Sequence, residues 1–275
     1  MTRNNRIELN ARAHNRMAHA YDSKHSDIYN DIEQHRIRQI VKDLVAGYAE
    51  AGEIHVFDFG AGTGNLTRCF LERGCRVTAC DVSAVSLDVL KAGVRSDRLA
   101  TLLLDGQILP VRDHEFDLVV TYSVLHHVPD YLHAVKELIR VLKPGGQLYI
   151  DHEFNEHHWA PDDVLAEYYA KARFGFADHL LHLVRHGDIF SWSLYKAALM
   201  KLFVNRRYER EGDIHVWPDD HVDWDRVLNI IREECALVRN EDYLFYRPHG
   251  GAVVYQYFRH RCNDMKFVVA RKRLE

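Results

Sequence analysis

No run of residues in this 275-residue chain approaches the roughly 18–20 consecutive apolar positions of a membrane-spanning helix. The N-terminal segment MTRNNRIELNARAHNRM has no apolar core of the kind a secretory signal carries. It is rich in arginine and poor in acids, as transit peptides are, but a polar helix ahead of the domain is the expected reading. Cysteine is scarce and scattered, at Cys69, Cys75, Cys80, Cys235 and Cys262. Without a CxxC pair there is no sign of a zinc ribbon or a disulfide framework, and reduced thiols in a cytoplasm fit best. Six prolines are too few for a Pro-rich linker, and there are no repeats. An excess of basic charge is missing too. Lys+Arg is 36 against 40 Asp+Glu, a net charge of −4, which argues against a dedicated nucleic-acid binder.

Hydrophobic residues make up 47% of the chain, enough for a sizeable core. Histidine, at 19, is the unusual abundance. From about residue 54, apolar runs alternate with segments of helical spacing. His55–Phe59, Arg76–Cys80, Leu102–Leu104, Phe116–Thr121 and Gln147–Asp151 read as five strands. Helices are expected over Leu66–Arg73, after Ser83, over Leu132–Leu142, and later over Asp223–Cys235. The helix ending at Leu142 meets the breaker Lys143-Pro144-Gly145-Gly146. Asp242–Tyr246 and Lys266–Ala270 are the last two strands. Tyr255, Tyr257 and Phe258 alternate as in a strand or a packed rim.

Short apolar strands between helices imply a parallel sheet covered on both faces, an α/β architecture. Ligands in such sheets sit beyond the carboxyl ends of the strands. That places Gly60–Gly64, Asp81, Asp105, Tyr122–His127 and Asp151–Glu153 around one site. The segment Gly60-Ala61-Gly62-Thr63-Gly64 ends a strand and opens a helix, an arrangement that aims backbone N–H groups at a ligand. Asn65 stands where the dinucleotide fingerprint needs its third glycine, which speaks against a nicotinamide oxidoreductase. Asp81 ends strand two, where a carboxylate can accept from ribose hydroxyls.

Taken in order, Val56–Thr67 (VFDFGAGTGNLT), Asp81, Leu102–Val111 (LLLDGQILPV), Phe116–Val128 (FDLVVTYSVLHHV) and Leu142–Ile150 (LKPGGQLYI) resemble class I S-adenosylmethionine-dependent methyltransferases. The nearest style is the small-molecule group similar to ubiquinone/menaquinone methyltransferases. The resemblance covers roughly residues 50–152. It implies a Rossmann-like doubly wound seven-stranded sheet, mostly parallel with the last strand antiparallel. It also implies S-adenosylmethionine as cofactor and S-adenosylhomocysteine as product. Gly60, Ala61, Gly62 and Gly64 would pass under the methionine part, and Asp58 would orient that loop or meet the cofactor's amino group. Asp81 would hold the ribose, with Val82 beside it. Asp105 and the Gly106 backbone would meet the adenine, while Tyr122 and Ser123 would line the sulfonium side. Ala20-Tyr21-Asp22 looks like the family's Tyr-Asp signature on an N-terminal helix over the cofactor, which adds Tyr21 to the site.

The chain is therefore expected to be one domain, 1–275. Residues 1–50 form an N-terminal helical cap, and 155–213 a helical insertion after strand five that acts as an acceptor-side lid. Methyl transfer asks mainly for positioning and exclusion of water, but an oxygen acceptor must also lose a proton. Histidine suits that step near neutral pH. His127, His152 and His126 are the candidate bases, and O-methylation is favoured slightly over N- or C-methylation. His157 and His158 with Asp151–Glu153 match no zinc spacing, so no metal is expected. His179, His182 and His186 form a stripe at helical spacing in the insertion, and Arg206, Arg207 and Arg210 a basic knot after it. His215–His221 reads as a loop with an exposed Trp217. The expected partner is a small-molecule acceptor, with no membrane span and no nucleic acid; a homodimer is compatible. The alternatives are a methyltransferase acting on RNA or protein, or a cofactor-binding homologue without catalysis.

Overall fold

The computed structural model describes residues 3–48, 52–105, 109–172, 199, 202, 203 and 214–274. The strands are β1 (His55–Phe59), β2 (Arg76–Asp81), β3 (Leu99–Leu103), β4 (Phe116–Tyr122), β5 (Leu142–Phe154), β6 (Val216–Trp217), β7 (Asp220–His221), β8 (Cys235–Tyr243) and β9 (Met265–Lys272). Seven of them form one sheet in the order β3-β2-β1-β4-β5-β9-β8, while β6 and β7 make a separate ribbon. Pairing is parallel from β3 through β5, and β9 runs antiparallel to both β5 and β8. The expected doubly wound sheet with an antiparallel last strand is thus borne out.

Burial explains the order. Val56, Phe57, Leu118, Val119 and Val120 are fully buried on the two central strands, as strands covered on both faces require. On one face lies α3 (Asp31–Ala46), started by the Asn30 side chain, which accepts from Glu33 N. Its Ile37, Val41 and Leu44 join Val56, Val77, Tyr149 and Phe267 in one core. On the other face, α6 (Tyr131–Val141) and α9 (Trp224–Glu234) bury Val135, Leu138, Val227 and Ile231 against Phe57, Val119 and Leu148. Each such side chain contributes about 1.5–3 kcal/mol on leaving water, which outweighs any single cap or turn. The first-face layer is completed by α4 (Asn65–Leu71) and α5 (Ala84–Gly93).

Several expected boundaries move. β3 starts at Leu99, and as an edge strand it is only partly covered, with Leu103 55% exposed. β5 begins at Leu142, before the Pro-Gly-Gly breaker. Phe116 pairs with Leu142 and Leu118 with Gln147, so Lys143–Gly146 bulge out between two ladder positions, with Gly145 at φ 77°. The sixth strand of the sheet is Cys235–Tyr243 rather than Asp242–Tyr246. It is an outer edge with a largely polar, exposed pattern, so it lacks the apolar run that marks a central strand. Tyr255 and Phe258 lie on a helix, α10 (Gly251–Phe258), buried against Leu165 and Tyr168 of α8 (Asp163–Ala172). A short α7 (Glu156–Trp159) precedes α8.

The remaining helices of the expected insertion, the stripe His179–His182–His186 and the knot Arg206, Arg207 and Arg210 lie outside the described residues. Among the described residues no helix is long and apolar enough to cross a membrane. Ahead of the sheet, α1 (Arg3–Met17) and the short α2 (Tyr21–Lys24) precede α3.

Candidate functional site

The glycine loop leaves β1 in a conformation that side chains resist. Gly60, Gly62 and Gly64 have φ of 74°, 53° and 99°, values glycine adopts without strain. A Cβ on Gly60 would come within 2.4 Å of the Val124 side chain, and one on Gly64 within 2.3 Å of Leu90. A Cβ on Gly62 would meet nothing within 4 Å. The loop is therefore packed at both ends and open in the middle, a cradle with room for a ligand. The Gly60 and Ala61 amides donate to the Cys80 carbonyl at 2.9 Å, tying the loop to the end of β2. Asp81 then accepts from Gly62 N at 2.8 Å and Ser83 N at 2.7 Å. Burial raises its carboxyl above the usual range, against those bonds and the charge of His14.

Gly60, Ala61, Gly62, Thr63 and Asp81 wall one cavity, together with Tyr21, Val82, Tyr122, Ser123 and His127, whereas Gly64, expected in the site, packs under Leu90 outside that lining. A second, mostly apolar compartment adjoins it, sharing Phe59, Val82, Leu104, His127 and Val128 and adding Leu109 and Pro129. The N-terminal segment closes the first compartment. Thr63 donates its hydroxyl to Asp22 at 2.7 Å, so Tyr29, 3.2 Å from the same oxygen, is the donor there. Asp22 also lies 3.6 Å from Arg68 of α4. Through these contacts α2 sits on the glycine loop and brings Tyr21 to the cavity.

The remaining sequence candidates separate. Asp58 is buried behind the loop and accepts from Thr67 at 2.5 Å. It orients the loop and α4 and lies outside the cavity lining. Burial pushes its carboxyl up to about 7. An acid with a raised folded value binds more protons folded than unfolded, so stability falls as pH rises from about 4 to about 7. Asp58→Asn should flatten the stability-versus-pH curve across that window, read by denaturant titration. A wild-type and variant curve that stay parallel would refute it. Asp105, two residues beyond β3, is exposed and outside both compartments, while its neighbour Leu104 is buried in their shared wall. Gly106 lies outside the described residues.

Among the histidines, only His127 of the three candidates lines the cavity, and it lines both compartments. Its ring is 5.0 Å from that of His14 on α1 and 4.1 Å from that of His126. His126 is turned toward Glu153, whose Oε2 lies 2.8 Å from its Nδ1. The other Glu153 oxygen accepts from Val124 N at 2.9 Å and Leu125 N at 2.7 Å. One buried carboxylate thus holds the whole segment that carries His127.

His152 was expected on the rim, but the structure turns it inward. It has φ 65° where β5 and β9 shift register. Its ring stacks on Tyr122 at 4.6 Å, with Nδ1 3.1 Å from the Tyr122 hydroxyl and 3.3 Å from that of Tyr243. Burial lowers its imidazole to about 3, so it stays neutral at ordinary pH. Ser123 also has a positive φ, 60°. Such conformations persist only where the surroundings over-determine them.

Behind Tyr122 lies a buried charge network the sequence did not suggest. Arg36 of α3 holds Glu33 at 2.9 Å, Asp151 at 2.8 Å and the Tyr243 hydroxyl at 3.0 Å. Burial works against both carboxylates. Arg36 outweighs it at Glu33, which sits below the usual range, but not at Asp151, which sits above it. Glu33 also accepts from the Tyr122 hydroxyl at 2.8 Å. Glu33 and Arg36 fall on the helix start signalled by Asn30, yet their partners are more than 80 residues away in the chain. Asp151 and His152 share the Tyr243 hydroxyl while Glu153 turns to the segment after β4, and among the described residues no group of three or more His, Cys, Asp or Glu is placed to hold a metal ion.

Residues 57–150 match the family model of a methyltransferase domain. The demethylmenaquinone methyltransferase of Streptomyces griseus subsp. griseus is 33% identical over 149 residues, covering 53% of this chain and 63% of its own length. The ubiquinone/menaquinone biosynthesis C-methyltransferase UbiE of Paracoccus denitrificans is 33% identical over 131 residues, 45% of this chain and 52% of its own. The chain thus spans only about half to just under two thirds of these relatives. A crystal structure of an S-adenosylmethionine-dependent methyltransferase from Mesorhizobium loti superposes with TM-score 0.54 at 20% identity, over 84% of this chain and 96% of that one. At that identity the likeness speaks for the fold.

Proposed function

With residues 57–150 as a class I S-adenosylmethionine-dependent methyltransferase domain, we propose that the protein methylates a small hydroxyl-bearing acceptor. The observation that carries the cofactor part of this reading is the continuity of the site, and the acceptor part rests on His127, which lines the cavity with Tyr122 and Ser123. The glycine cradle, the Asp81 carboxylate and a mostly apolar compartment lie on one wall system, with His127 at their junction. Gly60–Gly64 would hold the methionine part, Asp81 the ribose, and Val82, Leu104, Leu109 and Val128 the adenine. The cofactor brings a methyl group already activated by the sulfonium, so the chain's task is to orient the acceptor and exclude water. Tyr21, Tyr29 and α1 close one side. Residues 155–213 are assigned the acceptor side.

His127 is the base in this reading; His126 is held by Glu153 and His152 is neutral and inward. Loss of a proton is required whether the methyl goes to a phenolic oxygen or to a ring carbon beside a hydroxyl. Oxygen is the favoured site. The relatives named for quinone substrates support an aromatic acceptor of the reduced-quinone type. The weakly acidic chain gives no support to a nucleic-acid substrate.

The test uses S-adenosylmethionine carrying a ¹³C-methyl group and a panel of hydroquinones and catechols. Transfer is expected, and the ¹³C shift of the product separates a methoxy from a ring methyl group. Failure of the protein to bind S-adenosylhomocysteine at all would overturn the reading.

A further inference from the structure

The N-terminal helix presents one face to the cavity. Ile7, Asn10 and His14 follow at i, i+3 and i+7, a single stripe of an α-helix. Ile7 lines the apolar compartment, His14 the glycine-loop compartment, and Asn10 both. Asn15, the residue after His14, accepts from the Ser83 hydroxyl at 2.7 Å and from Val85 N at 3.3 Å. This fixes α1 against the start of α5, beside Asp81. Asn10 is therefore held over the place where the two compartments join.

The residue is only 8% exposed, and its Oδ1 is buried without a hydrogen-bond partner. Buried carboxamides are normally satisfied, because an unmet acceptor keeps the cost of leaving water. A leucine would fill the position at lower cost to the fold. An orphaned oxygen on a residue that lines both compartments is what a side chain looks like whose partner arrives with a ligand.

Resting on the methyltransferase reading, we propose that Asn10 is a cofactor-binding residue whose carboxamide oxygen accepts a hydrogen bond from the nucleoside part of S-adenosylmethionine. The donors that part offers are the ribose hydroxyls, which Asp81 would otherwise take alone, and the adenine amine. The helix then does more than cover the site, because it contributes a polar contact at the seam between ribose and base.

Stability and binding should separate in Asn10→Leu. Without cofactor the variant should melt at or above the wild-type temperature, since an unsatisfied buried group has been removed. Calorimetric titration should show its affinity for S-adenosylhomocysteine reduced about tenfold, the loss expected for one hydrogen bond in a dry site. Asn10→Ala should bind as weakly, and His19→Ala, an exposed change beyond the same helix, should bind as the wild type does. Titration with S-inosylhomocysteine, which lacks the adenine amine, identifies the donor. If the leucine variant still binds it about tenfold more weakly than wild type, a ribose hydroxyl is the partner; if the two bind it equally, the amine is. Affinity of Asn10→Leu for S-adenosylhomocysteine within twofold of wild type overturns the proposal. So does a fall in melting temperature beside weaker binding, the signature of a residue that serves only the fold. A wild-type protein that ignores S-adenosylhomocysteine overturns the methyltransferase reading itself, a distinct result.

Discussion

Asp81→Ala should weaken binding of S-adenosylhomocysteine about 100-fold. A ribose offers two hydroxyl donors to this carboxylate, and a hydrogen bond to a charged group is worth about 1.5–3 kcal/mol. Two such bonds at the lower figure give about 3 kcal/mol, or about two powers of ten in affinity. Asp81→Asn keeps one acceptor and should lose about tenfold. The apo protein should tolerate both changes. Asp81 does bind Gly62 N and Ser83 N, but burial raises its carboxyl, so its charge opposes folding above the ordinary carboxylate range. As pH rises past about 4, wild-type stability should therefore decline relative to Asp81→Asn. Calorimetric titration reads the first effect and denaturant titration the second. Unchanged affinity in Asp81→Ala would remove the ribose assignment.

The largest loss of stability should come from Glu153→Ala. The glutamate is 2% exposed, and its two oxygens satisfy Val124 N, Leu125 N and His126. Truncation leaves buried donors with no acceptor and opens a gap under the segment after β4. Breaking a buried charged contact of this kind costs about 3–5 kcal/mol. Because His127 rides on that segment, transfer should fall about 100-fold in whatever protein folds, as expected for a catalytic group displaced by about 1 Å. Glu153→Gln should be far milder. Its carbonyl can still accept from both amides, while its NH₂ faces His126 Nδ1 and forces the other imidazole tautomer. Nitrogen NMR of His126 would register that switch. A melting temperature for Glu153→Ala equal to that of the wild type would show that the segment is held by other means.

Much of the frame was legible because it depends on local signals. Five apolar strands, the positive-φ glycines after β1 and the acid at the end of β2 each announce themselves within a few residues. Their order dictates which strand ends meet. The parts that stayed hidden depend on exceptions to periodicity or on distant partners. Its place at the carboxyl end of strand five sends His152 toward the rim, but the register shift and its φ of 65° turn it onto Tyr122. β8 carries too few apolar residues to read as a strand because one of its sides has no neighbour. The role of Glu153 was hidden too, since a row of acids and a histidine says nothing about the His126 ring 2.8 Å away. Asn10 was invisible for the opposite reason. A single polar residue in a polar helix means nothing until its burial is known.

The return of the chain from residues 155–213 has a consequence for how such a protein could diversify. Within it, at the end of α8, Ala172 is buried against Gly250, where even a Cβ would come within 2.9 Å of its Cα. After it, Ile214 N and His215 N both donate to the His126 carbonyl, at 3.1 and 2.9 Å. His215 also reaches the Val128 carbonyl at 3.2 Å and Asp220 at 2.6 Å. Both junctions are thus fastened to the scaffold independently of what runs between them, and closing a longer or shorter loop across two fixed points changes the chain entropy only slowly. If residues 155–213 face the acceptor as proposed, acceptor preference could change between these two fixings while the Gly60–Gly64 and Asp81 wall stays as it is.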